Sequence, residues 1–281
     1  MHAPSDEALR DLAALLPDAL FVVRERSIVY ANERGASMLG APAASLAARN
    51  LADFLDEGDL RRVVAQEEAL REGWDTPQTC RLRFRTEAGV VVIADVRYVL
   101  LWGNRLGMIA RDVSEQLRAE GLMERLARAT TEAPPNGDAI AILSACEPIF
   151  LELGWGVAFT DVLERTSITR KVIAAPGDPV GAYGRTLLGR EVPFSETPIL
   201  ARVAETGRPV YMPNLPTWEH QPLSDAHALS LSMRKARVGR SVWCPIVEGG
   251  RVTQLLVVVA RDLTEHDSIA LQLFAAQLGA A

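Results

Sequence analysis

The sequence predicts an α+β protein of two domains, each built on a central antiparallel sheet with flanking helices. Its 281 residues suit two domains of about 100 to 150 residues, each large enough to bury its own core. Strand-like runs separated by Gly- and Asn-bearing turns occur in two sets, one before residue 116 and one after residue 155. Between them stands Pro134-Pro135-Asn136-Gly137, through which no continuous α-helix can run, because each Pro lacks an N–H and restricts the residue before it. The expected layout is a first domain at 1–116, a helical connector at 117–135 and a second domain at 136–281.

The first domain opens with a short helix at about Asp6 to Leu16. Phe21-Val22-Val23 and Ile28-Val29-Tyr30 then flank a polar turn, as a hairpin does, and Asn32 is placed to cap a helix that Gly40 ends. The stretch 41–73 has helical spacing, with Phe54 and Leu55 ahead of Asp56-Glu57-Gly58-Asp59. Three strands follow at Thr79 to Glu87, Val90 to Trp102 and Arg105 to Val113, with hairpin-type turns at Glu87-Ala88-Gly89 and Trp102-Gly103-Asn104. Asp112-Val113-Ser114-Glu115 closes the set. Asp112 or Ser114 can cap the next helix, and Glu115 lies near its positive end.

The strand–Asn–helix opening at Ser27 to Gly40 and the Asp112 to Glu115 corner resemble a PAS domain over roughly Asp6 to Gln116. In that family a motif like Asp-Ile-Thr-Glu leads from the last strand into an exit helix, so the resemblance implies signal transmission through Asp112, Ser114 and Glu115. It also implies an interior ligand pocket, for which Phe54, Arg97 and Met108 are the candidates. Arg97 can meet a ligand carboxylate, or it can be a solvent-facing Arg on an alternating strand. Haem-binding members need an axial ligand, yet the only His in this half is His2; flavin-binding members use an Asn-Cys-Arg-Phe run, and Asn50-Leu51-Ala52-Asp53-Phe54 has no thiol.

In the connector, Ala119, Leu122, Leu126, Ala129 and Ala133 recur at three-four spacing. They can form a short two-helix seam or the packed face of a helix lying on a domain.

The second domain begins with a helical face from Asp138 to Leu153, kinked at Pro148, followed by strands at Gly156 to Glu164 and Ile168 to Ala174. A Gly- and Pro-containing stretch, 175–193, precedes a helix at Glu196 to Thr206 and a strand at Val210 to Met212. Residues 213–236 read as irregular and partly helical. Arg240 to Val247 and Val252 to Arg261 form a hairpin across Glu248-Gly249-Gly250, and Thr264 to Asp267 caps the last helix. The run Ser241-Val242-Trp243-Cys244-Pro245-Ile246, the turn after it, Leu263 to Asp267, and Thr206-Gly207-Arg208-Pro209-Val210-Tyr211 resemble a GAF domain from about Asn136 onward. The resemblance implies a small-molecule pocket, with Trp218, His220, His227, Arg240 and Trp243 as the polar and aromatic set at its mouth. The Asn-Lys, Phe, Asp-Glu pattern of cyclic-nucleotide-binding relatives is not found, and Cys244, inside a strand and before Pro245, does not match the Cys-His of bilin-binding ones.

Composition restricts the function classes. A net charge of −6 gives no broad attraction to nucleic acid or anionic lipid. Three scattered cysteines, Cys80, Cys146 and Cys244, suit a reducing compartment and offer no four-cysteine cluster or metal site. The longest apolar runs are strand-sized, so no membrane span and a cytoplasmic location are expected. No phosphate-cradling loop, catalytic Cys-His pairing or helix-turn-helix is found. The reading is a non-catalytic sensor with no predicted cofactor, an unidentified small-molecule ligand and a homodimeric state. Its last helix stops at Gly279-Ala280-Ala281; because this helix commonly continues toward an output domain in relatives, the resemblance implies the sensory part of a larger histidine kinase or transcriptional regulator, with a free-standing adaptor as the alternative. The alternatives are a thiol enzyme resembling methionine sulfoxide reductase, and a ligand-free interaction scaffold.

Overall fold

In the computed structural model, which describes residues 13–74, 79–134, 137–213 and 239–280, the chain divides into two units, Met1–Glu115 and Gln116–Ala281.

The first unit starts with the hairpin of β1 (Ala19–Arg24) and β2 (Ser27–Ala31). Glu25 and Arg26 both take positive φ, 51° and 67°, the pair of left-handed residues that a two-residue turn with the right twist requires. Asn32 then caps α1 (Glu33–Leu39), and Gly40 ends it at φ 69°. The Asn32 side chain does more than cap. Its Oδ1 accepts from Gly35 N at 2.8 Å and Leu20 N at 2.9 Å, and its Nδ2 donates to the Ala13 and Asp18 carbonyls at 3.0 and 3.1 Å. Gly35 allows α1 to lie flush on the sheet, since a Cβ there would come 2.9 Å from the Phe21 ring.

After α2 (Ala43–Leu46), a 3-10 turn at Leu51–Asp53 and α3 (Glu57–Arg71) come β3 (Cys80–Arg85), β4 (Val91–Leu101) and β5 (Arg105–Asp112). The antiparallel sheet runs β2-β1-β5-β4-β3. One of its faces, with Phe21, Phe84, Val96 and Met108, forms a core with Leu39, Leu46, Leu51 and Phe54 of the helical segment. Phe21 and Phe84 stack with ring centroids 6.2 Å apart.

Helix α4 (Ser114–Glu132) leaves the sheet at the predicted corner. Asp112 Oδ1 accepts from Ser114 N at 2.8 Å, and Ser114 Oγ accepts from Ile93 N at 2.8 Å, which ties the helix start to β4. Leu122 and Leu126 of α4 are buried in the core of the second unit. The stretch read as a separate connector is therefore a wall of that unit, and its apolar face is satisfied within it.

Two short helices, α5 (Ala139–Ala145) and α6 (Glu147–Glu152), replace the single kinked helix expected from the sequence. Pro148 falls in the first turn of α6, where its missing N–H leaves no bond unmade. The six-stranded antiparallel sheet runs β8-β7-β6-β11-β10-β9, from β6 (Gly156–Val162), β7 (Thr166–Ile173), β8 (Glu191–Pro193), β9 (Val210–Met212), β10 (Arg240–Glu248) and β11 (Arg251–Ala260). Helices α7 (Pro179–Leu187) and α8 (Pro198–Thr206) follow β7 and β8 respectively, and α9 (Glu265–Gly279) follows β11 behind a capping box of Thr264 and Asp267. The main core joins the sheet to α4, α5, α6 and α9, with Phe150 and Phe274 rings 6.0 Å apart.

Candidate functional site

Strand alternation divides the second unit's sheet into two faces with different tasks. Val242, Cys244 and Ile246 of β10 and Leu256 and Val258 of β11 are buried in the main core with α9. One residue out of phase, Trp243 of β10 and Val257 and Val259 of β11 line a cavity on the opposite face. Ala158 and Thr160 of β6 and Thr169 and Val172 of β7 extend that floor, with Ala158 paired to Val172 and Thr160 to Thr169. Tyr183, Gly184 and Leu187 of α7, Val192 of β8 and Leu200 of α8 form the cover. A Cβ at Gly184 would come within 3.0 Å of Val172 Cγ1, so the missing side chain lets α7 approach β7 closely. The cavity measures about 120 Å³.

Its walls are apolar apart from hydroxyls. Thr160, Ser167 and Thr169 are all buried, and the Thr160 and Thr169 hydroxyl oxygens stand 3.4 Å apart, longer than a well-made O–H···O bond. No Asp, Glu, Lys, Arg or His is among the described lining residues. Trp243 donates its Nε1–H to Ser241 Oγ at 3.0 Å, so the polar edge of the indole is already engaged. Burial, and next the nearby Glu196 carboxylate, raise the Tyr183 phenol above its ordinary value, which keeps it protonated and neutral.

Of the residues picked out in this domain from sequence, Trp243 lines the cavity. Arg240 does not: its Nη1 donates to the Leu263 carbonyl at 2.9 Å, beside Tyr211, whose hydroxyl donates to the same oxygen at 3.2 Å. Three positions separate Arg240 from Trp243, and an odd separation in a strand sends side chains to opposite faces. Trp218, His220 and His227 lie outside the described residues. Thr160, Thr169 and Tyr183 were not singled out; the only signal in sequence is hydroxyls at core-facing strand positions for the two threonines, and Tyr183 lies on α7, a helix the sequence reading did not find.

In the first unit, Phe54 and Met108 are fully buried in the core, and the Arg49 guanidinium sits 4.8 Å above the Phe54 ring. Arg97 is exposed, on the face of β4 opposite Val96 and Tyr98, so its side chain leaves the interior. Tyr98 projects inward instead. Its hydroxyl is buried and makes no well-formed hydrogen bond, and burial pushes the phenol strongly upward, with the adjacent Cys80 thiol as the next cause. Asp112 and Ser114 form the corner described above, with Glu115 following in the first turn of α4.

The thiols are guarded. Burial pushes Cys244 up to about 12 and Cys146 up to about 11, which holds both as neutral thiols. Among the described residues no cluster of three His, Cys, Asp or Glu side chains could hold a metal ion, and no helix is long and apolar enough to cross a membrane.

A family model described as the GAF domain matches residues 141–281, half of the chain. The chain belongs to the GAF domain family. Ahead of the GAF domain, a PAS domain model matches residues 7–74. Among solved structures, the chromophore-binding domain of Stigmatella aurantiaca bacteriophytochrome is similar at 14% identity, covering 96% of this chain and 98% of that one, with a TM-score of 0.42. The corresponding domain of a bacteriophytochrome from R. palustris is similar at 17% identity, covering 94% of each chain, with a TM-score of 0.38. A domain of a sensor histidine kinase/response regulator from Geobacter sulfurreducens is similar to 38% of this chain and 92% of its own length, at 20% identity and a TM-score of 0.33. No curated protein matches the chain. The PAS and GAF domains make this chain a signalling sensor module.

Proposed function

We propose that this chain is a cytoplasmic, non-catalytic sensor of bacterial signalling, in which a small molecule held in the GAF cavity alters the packing of α4 and α9 and so controls an output such as a histidine kinase. The observation that carries the reading is the shared hairpin. Trp243 and Val257 pair across β10 and β11 at the cavity, while their neighbours Val242, Cys244, Leu256 and Val258 pack in the α9 core. Any displacement of these strands by a ligand is felt at α9, because close-packed interiors transmit strain.

The same helices favour a homodimer. Met123 of α4 and Leu273 of α9 are exposed apolar residues on a groove of about 590 Å³ between the two helices, with Ile269 exposed one turn before Leu273. A second copy would cover them. The protonated, buried state of Cys146 and Cys244 weighs against thiol catalysis as the activity.

The test compares hydrogen exchange in the native chain and in Val257→Trp, whose larger side chain occupies the cavity. Altered exchange in α4 and the first turns of α9, with the fold retained, supports the relay; identical exchange in both helices refutes it. Sedimentation of the native chain and of Leu273→Arg tests the dimer, which falls if the native chain is monomeric at high concentration.

A further inference from the structure

The lining of the GAF cavity restricts the chemistry of what it can hold. The described walls are mostly aliphatic, with the Trp243 ring on the floor and Tyr183 in the cover, and their polar side-chain groups are neutral hydroxyls and the already engaged Trp243 N–H. A buried carboxylate or phosphate needs a countercharge or several charge-assisted hydrogen bonds, and these walls supply neither. Size sets the second restriction. A cavity of about 120 Å³ is smaller than the about 300 to 1,000 Å³ of drug-sized ligand sites, and close to the about 150 Å³ void that accepts benzene in another protein.

The third observation is the pair of threonines. Thr160 and Thr169 are 4% and 6% exposed, and their hydroxyl oxygens are 3.4 Å apart. Each hydroxyl brings one donor and two acceptor sites, and so long a separation leaves most of that capacity unused. A guest with one hydroxyl or carbonyl can engage the pair while its apolar body lies among Ala158, Val172, Val257 and the Trp243 ring.

We infer that the GAF cavity takes a small uncharged molecule, a single ring or its aliphatic equivalent carrying one hydroxyl or carbonyl group, with that group at Thr160 and Thr169. This rests on the reading of the cavity as the sensory site and names its ligand class. Cyclic nucleotides and tetrapyrroles, anionic and larger, fall outside that class.

Titration calorimetry of the full chain with benzyl alcohol, toluene, benzoate and cyclic AMP tests the inference, alongside Thr160→Val, Val257→Trp and, as a second filling variant on the cover, Leu187→Trp. The expected result is that benzyl alcohol binds at least tenfold more tightly than benzoate. Thr160→Val should weaken benzyl alcohol about fivefold, the equivalent of one hydrogen bond, and leave toluene unchanged. Whichever filling variant retains the native circular dichroism should abolish binding. Benzoate or cyclic AMP binding more tightly than benzyl alcohol, and lost on filling, overturns the ligand class while the cavity stands as the sensory site. No binding of either neutral probe, or neutral binding that survives filling, also overturns it; the relay is judged separately by the exchange experiment on α4 and α9.

Discussion

Arg118, near the start of α4, donates from Nη1 to the Asp262 carboxylate at 2.8 Å, and from Nη2 to the Asp262 carbonyl at 2.8 Å and to Asp267. Asp262 also accepts the Trp155 indole N–H at 2.9 Å, and the Arg118 guanidinium lies 5.9 Å from the Trp155 ring centre. Asp267 is buried and accepts from the backbone N and hydroxyl of Thr264 at the head of α9, while its Oδ1 has no partner. One cation thus fastens the beginning of α4 to the beginning of α9.

Arg118→Ala should therefore destabilise the GAF domain by about 2–3 kcal/mol, because it strands a buried carboxylate. The figure lies below the roughly 3–5 kcal/mol of fully buried pairs, since the guanidinium is partly exposed and Asp267 keeps its bonds to Thr264. Adding Asp267→Asn should recover part of the loss, and urea denaturation of the four species would give a coupling of about 1 kcal/mol or more. Strict additivity would show that the clasp contributes nothing.

Asn32→Ala should cost the PAS domain about 2–3 kcal/mol, more than a simple helix cap, since four hydrogen bonds go with it. Asn32→Asp is the sharper variant. It keeps the two accepted bonds and loses both donated ones, so a stability equal to that of the native chain would refute the bridging role.

Cys244 should make stability fall in alkali. Its thiol stands raised from 9.0 to about 12 by burial, so the folded state keeps a proton that the unfolded chain releases. The stabilisation is complete below pH 9 and is lost between pH 9 and 12; about 2 kcal/mol should be gone by pH 10.5. Cys146 contributes in the same direction. Denaturation from pH 8 to 10.5 should show a shallower slope in Cys244→Ala, and native Cys244 should resist iodoacetamide at pH 8.

Ser114→Ala should cost about 1 kcal/mol and speed hydrogen exchange at the Ile93 amide, which donates to the Ser114 hydroxyl. Unchanged exchange at Ile93 would mean that the Ser114 hydroxyl does not hold the exit corner, which would rest on Asp112 and on the Val113 N–H to Ile93 carbonyl bond of 2.9 Å.

Much of the local structure was legible because it rests on short-range chemistry. Asn32, Gly40 and the Thr264–Asp267 box cap helices through bonds within a few residues, and the strand pairs have their turn residues beside them. Helix α7 was missed, since Pro179, Gly181 and Gly184 lower helix propensity across its length. Pro179 stands at the start of the helix, and the glycines permit contact with β7 that no local rule reveals.

The amino-acid sequence alone determined that this chain carries two α+β domains, because its caps, turns and alternation come in two complete sets, and the resemblance of their motifs to PAS and GAF domains implied that both are sensors. Tertiary structure alone decided the site. Whether a strand residue enters a cavity or a core depends on register between strands distant in sequence, which brings Thr160 opposite Thr169, places Trp243 on the cavity floor and turns Arg240 and Arg97 away from their expected pockets. A shift of one residue reverses every such assignment, and only the paired sheet fixes that phase.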